Sequence, residues 1–195
     1  QKLTSYHRQQ FNIPTIGITG SNGKTIVKEW LYQLLKNDYS ICRSPKSFNS
    51  QIGVPLSVWQ LNNQHNLAIF EAGISEKGEM KLLEEIIKPS IGILTSLGTA
   101  HDEGFADTSV KLKEKLILFK QCDITLINAL SIHAQLNDIH KYAKNPFIIS
   151  EEEDANLQIL KIDSNLHATK ITGIFNKETY SISIPFTDKA SIHNA

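Results

Sequence analysis

The sequence is poor in cysteine, in net charge and in long apolar runs, and each shortage excludes a class of protein. Only two of its 195 residues are cysteines, Cys42 and Cys122, and neither belongs to a CxxC or Cys/His cluster. We therefore expect neither a disulfide framework nor a structural zinc site, and a reducing cytoplasmic location fits this usage. The 20 Lys and Arg residues balance the 20 Asp and Glu residues, which argues against a dedicated nucleic-acid-binding protein. No apolar run approaches the roughly 20 residues that cross a membrane, so we expect no membrane insertion.

The residues that are present alternate regularly between two patterns. Hydrophobic residues make up 41% of the chain and charged residues 21%, which is typical of a globular protein with one sizeable core. Strands are predicted at 13–19, 67–71, 91–96 and 123–128, and helices at 24–36, 51–61, 78–88, 108–121 and 131–143. This order predicts an α/β fold with a doubly wound, mostly parallel sheet. An antiparallel β extension at the C-terminal end is predicted by four strands without intervening helices, at 146–150, 157–162, 169–175 and 179–184.

The strongest functional signal is the segment TGSNGKT, residues 19–25, between a predicted strand and a predicted helix. Glycines let such a loop curl until several N–H groups point at one anion, and the helix dipole adds to the attraction. We expect Lys24 to bridge the β- and γ-phosphates of a nucleotide and the Thr25 hydroxyl to reach Mg²⁺. The predicted nucleotide-binding residues of the loop are Gly20, Ser21, Asn22, Gly23, Lys24 and Thr25.

The loop departs from the Walker pattern GxxxxGK[ST], because Ile18 occupies the position of the first glycine. What remains is the shorter GxxGKT. A glycine-rich turn that caps a helix beside a chance Lys-Thr pair is the alternative. The strand before the loop and the amphipathic helix after it favour a phosphate loop.

The loop resembles the TG[ST]NGKT loop of the Mur ligases and the folylpolyglutamate synthases. Further segments are similar to Mur ligase segments in order and spacing: SFNSQIGVP at 47–55, FEAG at 70–73 followed by GE at 78–79, TSLGTAHDEGF at 95–105, and KLILF at 115–119. The resemblance is strong over residues 13–130. Residues 184–186 and 192–194 are more weakly similar to the stretch that closes the family's central domain.

This resemblance implies the P-loop central domain of a Mur ligase, an ATP-dependent amide ligase of peptidoglycan synthesis. In that family, ATP phosphorylates the terminal carboxylate of a UDP-linked muramoyl precursor, and the amine of an incoming amino acid or dipeptide attacks the acyl phosphate. The fullest match is to the ligase that adds D-alanyl-D-alanine (D-Ala-D-Ala) to the UDP-muramoyl (UDP-MurNAc) tripeptide. Another Mur ligase, such as the one that adds the third residue, and a folylpolyglutamate synthase are the alternatives.

The resemblance also implies a domain organisation. Residues 1–12 are expected to be a linker or the end of a preceding domain, and residues 13–195 the ATP-binding central domain. The expected partners in the same chain are an N-terminal domain that binds the UDP moiety and a C-terminal domain that closes over ATP. By itself, the 195-residue chain is then expected to be a nucleotide-binding module without ligase activity.

Two magnesium ions are implied, with ligands at three positions besides Thr25. Glu71 resembles the family's Mg²⁺ ligand, and a solvent-exposed carboxylate at the end of a strand is the alternative. His101 resembles the ligand of a second Mg²⁺ near the γ-phosphate, whereas a lone histidine is more often a surface or core residue. Lys115 resembles a lysine that CO₂ commonly carbamylates, which converts a cation into an oxygen ligand for a hard metal. The predicted catalytic residues are Lys24, His101 and Lys115.

Lys115 is the position at which the residues alone and the resemblance disagree. Its predicted helix also carries Lys111, Lys113 and Lys120, a pattern that by itself favours a solvated basic face. A P-loop kinase or motor ATPase would predict a Walker B acidic residue at a strand end and no metal-ligating histidine. It would also give no reason for a lysine at this position.

Two asparagines complete the predicted site. Asn49 is expected near the γ-phosphate or the substrate carboxylate. Asn128 resembles an asparagine near the adenine, although residues 129–131, Ala-Leu-Ser, replace the family's acidic turn. Ser96 stands where many Mur ligases have asparagine. The histidines without a partner pattern are interpreted as structural or surface residues; they are His133, His140 and His193.

Overall fold

Strands and helices alternate along most of the chain. The computed structural model describes residues 1–98, 107–132 and 136–195, and of residues 136–138 the backbone alone. The strands in this part are β1 (Thr15–Thr19), β2 (Ile41–Arg43), β3 (Leu67–Glu71), β4 (Ile91–Leu94), β5 (Ile124–Asn128), β6 (Pro146–Ser150), β7 (Leu157–Ser164), β8 (Thr169–Phe175) and β9 (Glu178–Ile184). The helices are α1 (Lys2–Arg8), α2 (Lys24–Leu35), α3 (Gly53–Val58), α4 (Glu79–Ile87), α5 (Thr108–Leu116), α6 (Leu136–Tyr142) and α7 (Lys189–Asn194). Short 3₁₀ turns lie at Ile117–Phe119 and Ala129–Ser131.

The strands form one sheet in the order β2-β3-β1-β4-β5-β6-β7-β8-β9. β1 lies between β3 and β4 and pairs in parallel with both. The chain thus leaves β1 on one side and continues on the other, which brings the carboxyl ends of these three strands together at a topological switch point. The predicted α/β fold with a mostly parallel, doubly wound sheet and an antiparallel extension is confirmed.

The antiparallel extension begins one strand later than predicted. β6 pairs in parallel with β5 and with β7, so the expectation that all four C-terminal strands are antiparallel was wrong. The reason is that α6 lies between β5 and β6, and a crossover helix returns the chain to the same end of the sheet. From β7 onward, short turns join β7, β8 and β9 as antiparallel neighbours.

Apolar layers cover the central strands on both faces of the sheet. Every residue of β1 and of β3 is buried, as expected for parallel strands with helices on both sides. On one face, Ile16, Ile18 and Ile69 pack with Val27 of α2. On the other face, Phe70 belongs to a larger cluster that includes residues of α3, α4 and α5. This packing holds the carboxyl ends of β1 and β3 in fixed positions.

The N-terminal helix is anchored to this core. α1 packs against α3 and α4, and the buried guanidinium group of Arg8 donates to the backbone oxygens of Phe11 and Ile87 and to Thr15 Oγ1. Burial lowers the pKa of Arg8 from its ordinary value. Residues 1–12, which we expected to be a linker or the end of a preceding domain, therefore contribute a packed helix to the described fold.

The predicted elements differ from the structure mainly where segments are short. β2, α1 and α7 were not predicted, because three, seven and six residues show too little periodicity. α3 has six residues, about half of the predicted helix. Within the described ranges, no helix is both long enough and apolar enough to span a membrane.

Candidate functional site

The chain turns sharply between β1 and α2. Gly20 and Gly23 have φ angles of 151° and 85°, which residues with a side chain rarely adopt. A Cβ at Gly20 would overlap Thr95 Oγ1 and lie 2.9 Å from Ser96 N, and a Cβ at Gly23 would overlap Asn194 Oδ1. Glycine is therefore required at both positions for close approach as well as for the backbone angle.

Hydrogen bonds join this loop, residues 20–23, to the segment that follows β4. Ser21 N donates to Ser96 O at 2.8 Å, and Asn22 N donates to Ser96 Oγ at 3.0 Å. Thr95 Oγ1 donates to Asn22 O at 2.5 Å. Ser96, which departs from the asparagine of many Mur ligases, thus binds the loop directly.

Lys24 begins α2 and places its ammonium group over the loop. Its Nζ donates to Gly20 O at 2.8 Å and to Ser21 O at 3.4 Å. In the described structure no side chain caps this end of α2, whose N-cap residue is Gly23. An uncapped helix N-terminus has N–H groups that bind anions. The loop, the helix end and the ammonium group therefore favour a phosphate.

Glu71 ends β3 beside this loop and is fully buried. The alternative of a solvent-exposed carboxylate is therefore wrong. Thr25 Oγ1 donates to Glu71 Oε2 at 2.9 Å, and Asn49 Nδ2 lies 3.5 Å from the same oxygen. The fold thus brings together three residues that the sequence analysis placed in one site.

A fourth residue, Lys28, was missed in the sequence. It lies one helical turn after Lys24, its side chain is fully buried, and its Nζ is 2.8 Å from Glu71 Oε1. The available signal was its spacing from Leu31 and Leu35, which puts it on the apolar face of α2.

Lys115 is brought to the loop from α5, 95 residues away in the sequence. Its Nζ donates to Gly20 O at 3.2 Å, and the residue is 3% exposed. Lys111 is equally buried, whereas Lys113 is half-buried and Lys120 is exposed. The solvated-face alternative is therefore wrong for Lys111 and Lys115 and holds for Lys120.

The predicted metal site is described in part. His101 lies outside the described residues. Among the residues that are described, no group of three His, Cys, Asp or Glu side chains could hold a metal ion. The oxygens of Thr25 and Glu71 do fit Mg²⁺, which prefers oxygen donors and commonly binds to one or two protein ligands while keeping several waters.

A cavity of about 500 Å³ opens beside the loop. It is lined by Asn22, Ser96, Leu97, Gly98, Leu130, Ser131, Lys189, Ala190, His193 and Asn194. α7 contributes four of these residues, and our sequence analysis assigned a functional role to none of the four. The weak similarity at 192–194 was the available signal for His193 and Asn194.

Asn128 forms hydrogen bonds with two residues that line this cavity, His193 and Leu130. Its Nδ2 donates to His193 O at 2.8 Å, and its Oδ1 accepts from Leu130 N at 3.0 Å. It lines a separate, smaller apolar cavity between α7 and the C-terminal strands. Asn128 therefore ties α7 to the end of β5.

Comparison with known proteins identifies the family to which this chain is similar. The Mur ligase middle domain model matches residues 18–195. The chain is 36% identical over 132 residues to the UDP-N-acetylmuramoyl-tripeptide–D-alanyl-D-alanine ligase of Borreliella burgdorferi, covering 67% of this chain and 28% of that protein. It is 29% identical over 198 residues to the protein of the same name from Bacillus subtilis, covering 100% of this chain and 42% of that protein. The chain thus spans less than half the length of these relatives.

Solved structures share the fold. MurF from Acinetobacter baumannii superimposes with a TM-score of 0.87 at 21% identity, over 99% of this chain and 43% of that chain. MurF from Thermotoga maritima in complex with ADP superimposes with a TM-score of 0.82 at 23% identity, over 99% of this chain and 45% of that chain. An FPGS–AMPPCP complex superimposes with a TM-score of 0.72 at 12% identity, over 99% of this chain and 59% of that chain.

Proposed function

The chain belongs to the Mur ligase family through its middle domain, and from that membership we propose that it is the ATP-binding part of a peptidoglycan ligase. The reaction we propose for the whole protein is the addition of D-alanyl-D-alanine to a UDP-N-acetylmuramoyl tripeptide, which the names of the curated relatives support. The observation that carries the proposal is the convergence of Lys24 and Lys115 on the Gly20 carbonyl, beside Thr25 and Glu71. We place the reaction in the cytoplasm, where ATP and reduced thiols are available.

The residues of the site address an electrostatic problem. A substrate carboxylate must approach a triphosphate, and both are negatively charged. The N-terminus of α2 and the ammonium group of Lys24 would bind the phosphates, while Lys115 reaches the same carbonyl from α5. These groups are fixed by the fold before the substrates arrive, so little reorganisation is needed when charge develops.

Thr25 and Glu71 would hold Mg²⁺ through oxygens that lie 2.9 Å apart. When bound, the ion supplies charge neutralisation at the phosphates. We propose a second Mg²⁺ ligand at His101 and a carbamate on Lys115. In that modification the neutral Lys115 amine adds to CO₂: the N–C bond forms, one C=O π bond of CO₂ becomes a C–O⁻ bond, and one N–H proton is released. Asn49 beside Glu71 Oε2 would contact the γ-phosphate or the substrate carboxylate.

The cavity beside the loop would take the base and ribose of ATP. Its volume of about 500 Å³ lies in the usual range for small-ligand sites. His193 and Asn194 close it from α7, and Asn128 fixes α7 in place. The ADP and AMPPCP complexes of the structural neighbours support nucleotide binding on this fold.

We further propose that residues 13–195 act with flanking domains of the same protein. The curated relatives are more than twice as long as the part that this chain matches. The UDP-muramoyl peptide and the amine would be held mainly by those domains. A folylpolyglutamate synthase is the weaker candidate, since the TM-score to FPGS is lower than that to MurF.

Nucleotide titration tests the binding proposal. The 195-residue chain should bind Mg²⁺-ADP in isothermal titration calorimetry and form no amide product from ATP, UDP-muramoyl tripeptide and D-Ala-D-Ala. Lys24→Ala should weaken binding about ten- to hundredfold, the cost of losing a charge-assisted hydrogen bond. The matched control is Lys36→Ala, at the exposed C-cap of the same helix. Equal affinities for the two variants would refute the assignment of the loop.

A further inference from the structure

Lys28 is a buried ammonium group to which the proposed function gives no role. Its side chain is fully buried. Its Nζ donates to Ser44 O at 2.8 Å and to Lys46 O, and it lies 2.8 Å from Glu71 Oε1 and 3.2 Å from Glu29 Oε1. The ammonium group is thus surrounded by oxygens on several sides.

Stability alone is a weak explanation for this arrangement. Removing an ammonium group and a carboxylate from water costs several kcal/mol per ion, roughly as much as their attraction returns, so apolar residues of similar volume would serve packing as well. The ion pair also lies at the edge of the core, where Glu71 meets the Thr25 hydroxyl. Its position therefore suggests a role at the site.

The two oxygens of Glu71 have different partners. Oε1 faces Lys28, whereas Oε2 accepts from Thr25 Oγ1 and lies 3.5 Å from Asn49 Nδ2. The contact of Oε1 with Lys28 is an ion pair without hydrogen-bond geometry, whereas Oε2 accepts a hydrogen bond from Thr25 of the loop. The attraction of Oε1 to a fixed cation favours the orientation in which Oε2 is directed towards the loop. The same cation balances the charge of the carboxylate.

Lys28 also holds the segment that carries Asn49. Its bonds to the carbonyl oxygens of Ser44 and Lys46 tie residues 44–46 to α2, and Lys46 has a positive φ angle of 48°. Asn49 follows three residues later, and its backbone oxygen accepts from Gly73 N at 2.7 Å. One ammonium group therefore contacts both the carboxylate and the neighbouring segment.

We propose that Lys28 is a positioning residue of the metal site: it holds Glu71 so that Oε2 alone is presented to Mg²⁺. This inference rests on the proposed function, because it requires nucleotide and Mg²⁺ at the loop. Residues that orient a metal ligand typically change metal affinity about ten- to hundredfold when they are replaced. A residue that serves stability alone changes the melting temperature and leaves the metal dependence of binding intact.

The test compares two dissociation constants for ADP, one measured with EDTA and one with Mg²⁺. The ratio of the constant in EDTA to the constant in Mg²⁺ reports how strongly binding of the metal and binding of the nucleotide are coupled. In Lys28→Met the constant in EDTA should rise, because Glu71 is left without its balancing charge. The constant in Mg²⁺ should rise more, because the metal ligand is no longer oriented, so the ratio of the EDTA constant to the Mg²⁺ constant should fall about ten- to hundredfold relative to the wild-type chain. Lys36→Met, an exposed change on the same helix, is the control and should keep the wild-type ratio.

A second variant covers the case that Lys28→Met does not fold with Glu71 left unpaired. Lys28→Arg keeps the buried charge, but its planar fork can engage both carboxylate oxygens and so compete with the metal for Oε2. It should therefore also lower the ratio, with a smaller loss of melting temperature. A wild-type ratio in either folded variant would overturn the inference and leave the proposed function standing. Absence of ADP binding by the wild-type chain would overturn the proposed function and this inference with it.

Discussion

Replacing Gly20 by alanine should lower the stability of the folded protein more than the same change at Gly78. Both glycines have positive φ angles, 151° and 94°, so both variants strain the backbone. Their surroundings differ. A Cβ at Gly20 would overlap Thr95 Oγ1 and lie 2.9 Å from Ser96 N, whereas a Cβ at Gly78 would meet no described atom within 4 Å. Comparing the two variants therefore separates the effect of close approach from the effect of the backbone angle.

The difference between the variants follows from what must move at Gly20. A backbone strain of about 1–3 kcal/mol is expected in each variant. At Gly20 the Thr95 hydroxyl must also leave Asn22 O, to which it donates at 2.5 Å, a net loss of about 1 kcal/mol. Forcing packed groups apart costs about 1–3 kcal/mol more. Gly20→Ala should therefore be less stable than Gly78→Ala by about 2–4 kcal/mol.

Thermal denaturation followed by circular dichroism measures this difference. In a domain of this size, each kcal/mol lowers the melting temperature by about 2–4 °C, so Gly20→Ala should melt roughly 5–15 °C below Gly78→Ala. Far-UV spectra at low temperature check that both variants are folded. Equal melting temperatures would show that the loop does not approach Thr95 as closely as the structure indicates.

Three further predictions concern buried titratable groups. In the longer protein, Lys115→Ala should lose most ligase activity and regain part of it with acetate, because acetate supplies an oxygen ligand. Lys115→Arg should not be rescued, because its positive charge stays in the site. Full activity of Lys115→Ala would end the carbamate hypothesis. Burial raises the pKa of Cys42 to about 11 and that of Cys122, with help from nearby carboxylates, to about 12. Both thiols should therefore resist DTNB at pH 8 until the protein is unfolded, and rapid reaction of the native chain would contradict this. Burial also raises the pKa of Glu84, so the folded state binds this proton more tightly than the unfolded state. Glu84→Gln should then raise the melting temperature by a few degrees at pH 8 and lose that advantage as the pH falls to about 4.

The parallel strands and the loop could be predicted because their signals are local. Residues 15–19 and 67–71 are apolar runs that end beside turn residues, and the loop has its glycines and lysine in one heptapeptide. The direction of β6 could not be read in this way, since it depends on the crossover through α6 and on pairing with β7. β2 contains three residues, and its position is decided by its pairing with β3.

The lysines of α2 and α5 show where local patterns stop being informative. Lys111 and Lys115 are four residues apart and share one helix face, beside the face of the buried Leu112 and Leu116. Lysine on an apolar face usually extends its ammonium group to solvent, so the sequence does not reveal that Lys115 reaches Gly20. The same ambiguity hid Lys28, whose partners come from β3 and from the segment after β2. Tertiary contacts between distant segments decide both cases.

The proposed phosphate site predicts that Lys24 and Lys115 act together on an anion at this end of the sheet. Both donate to the same oxygen of Gly20, at 2.8 and 3.2 Å, so the two nitrogen atoms are no more than about 6 Å apart. Two positive charges at that distance repel by about 3 kcal/mol at an effective dielectric constant of about 20. A phosphate between them is attracted by both and offsets this repulsion, whereas a carbamate on Lys115 removes it by replacing one cation with an anion. Acetate distinguishes these cases in Lys115→Ala: it can restore an anion that the carbamate supplied, but it cannot restore a cation that had bound the phosphate.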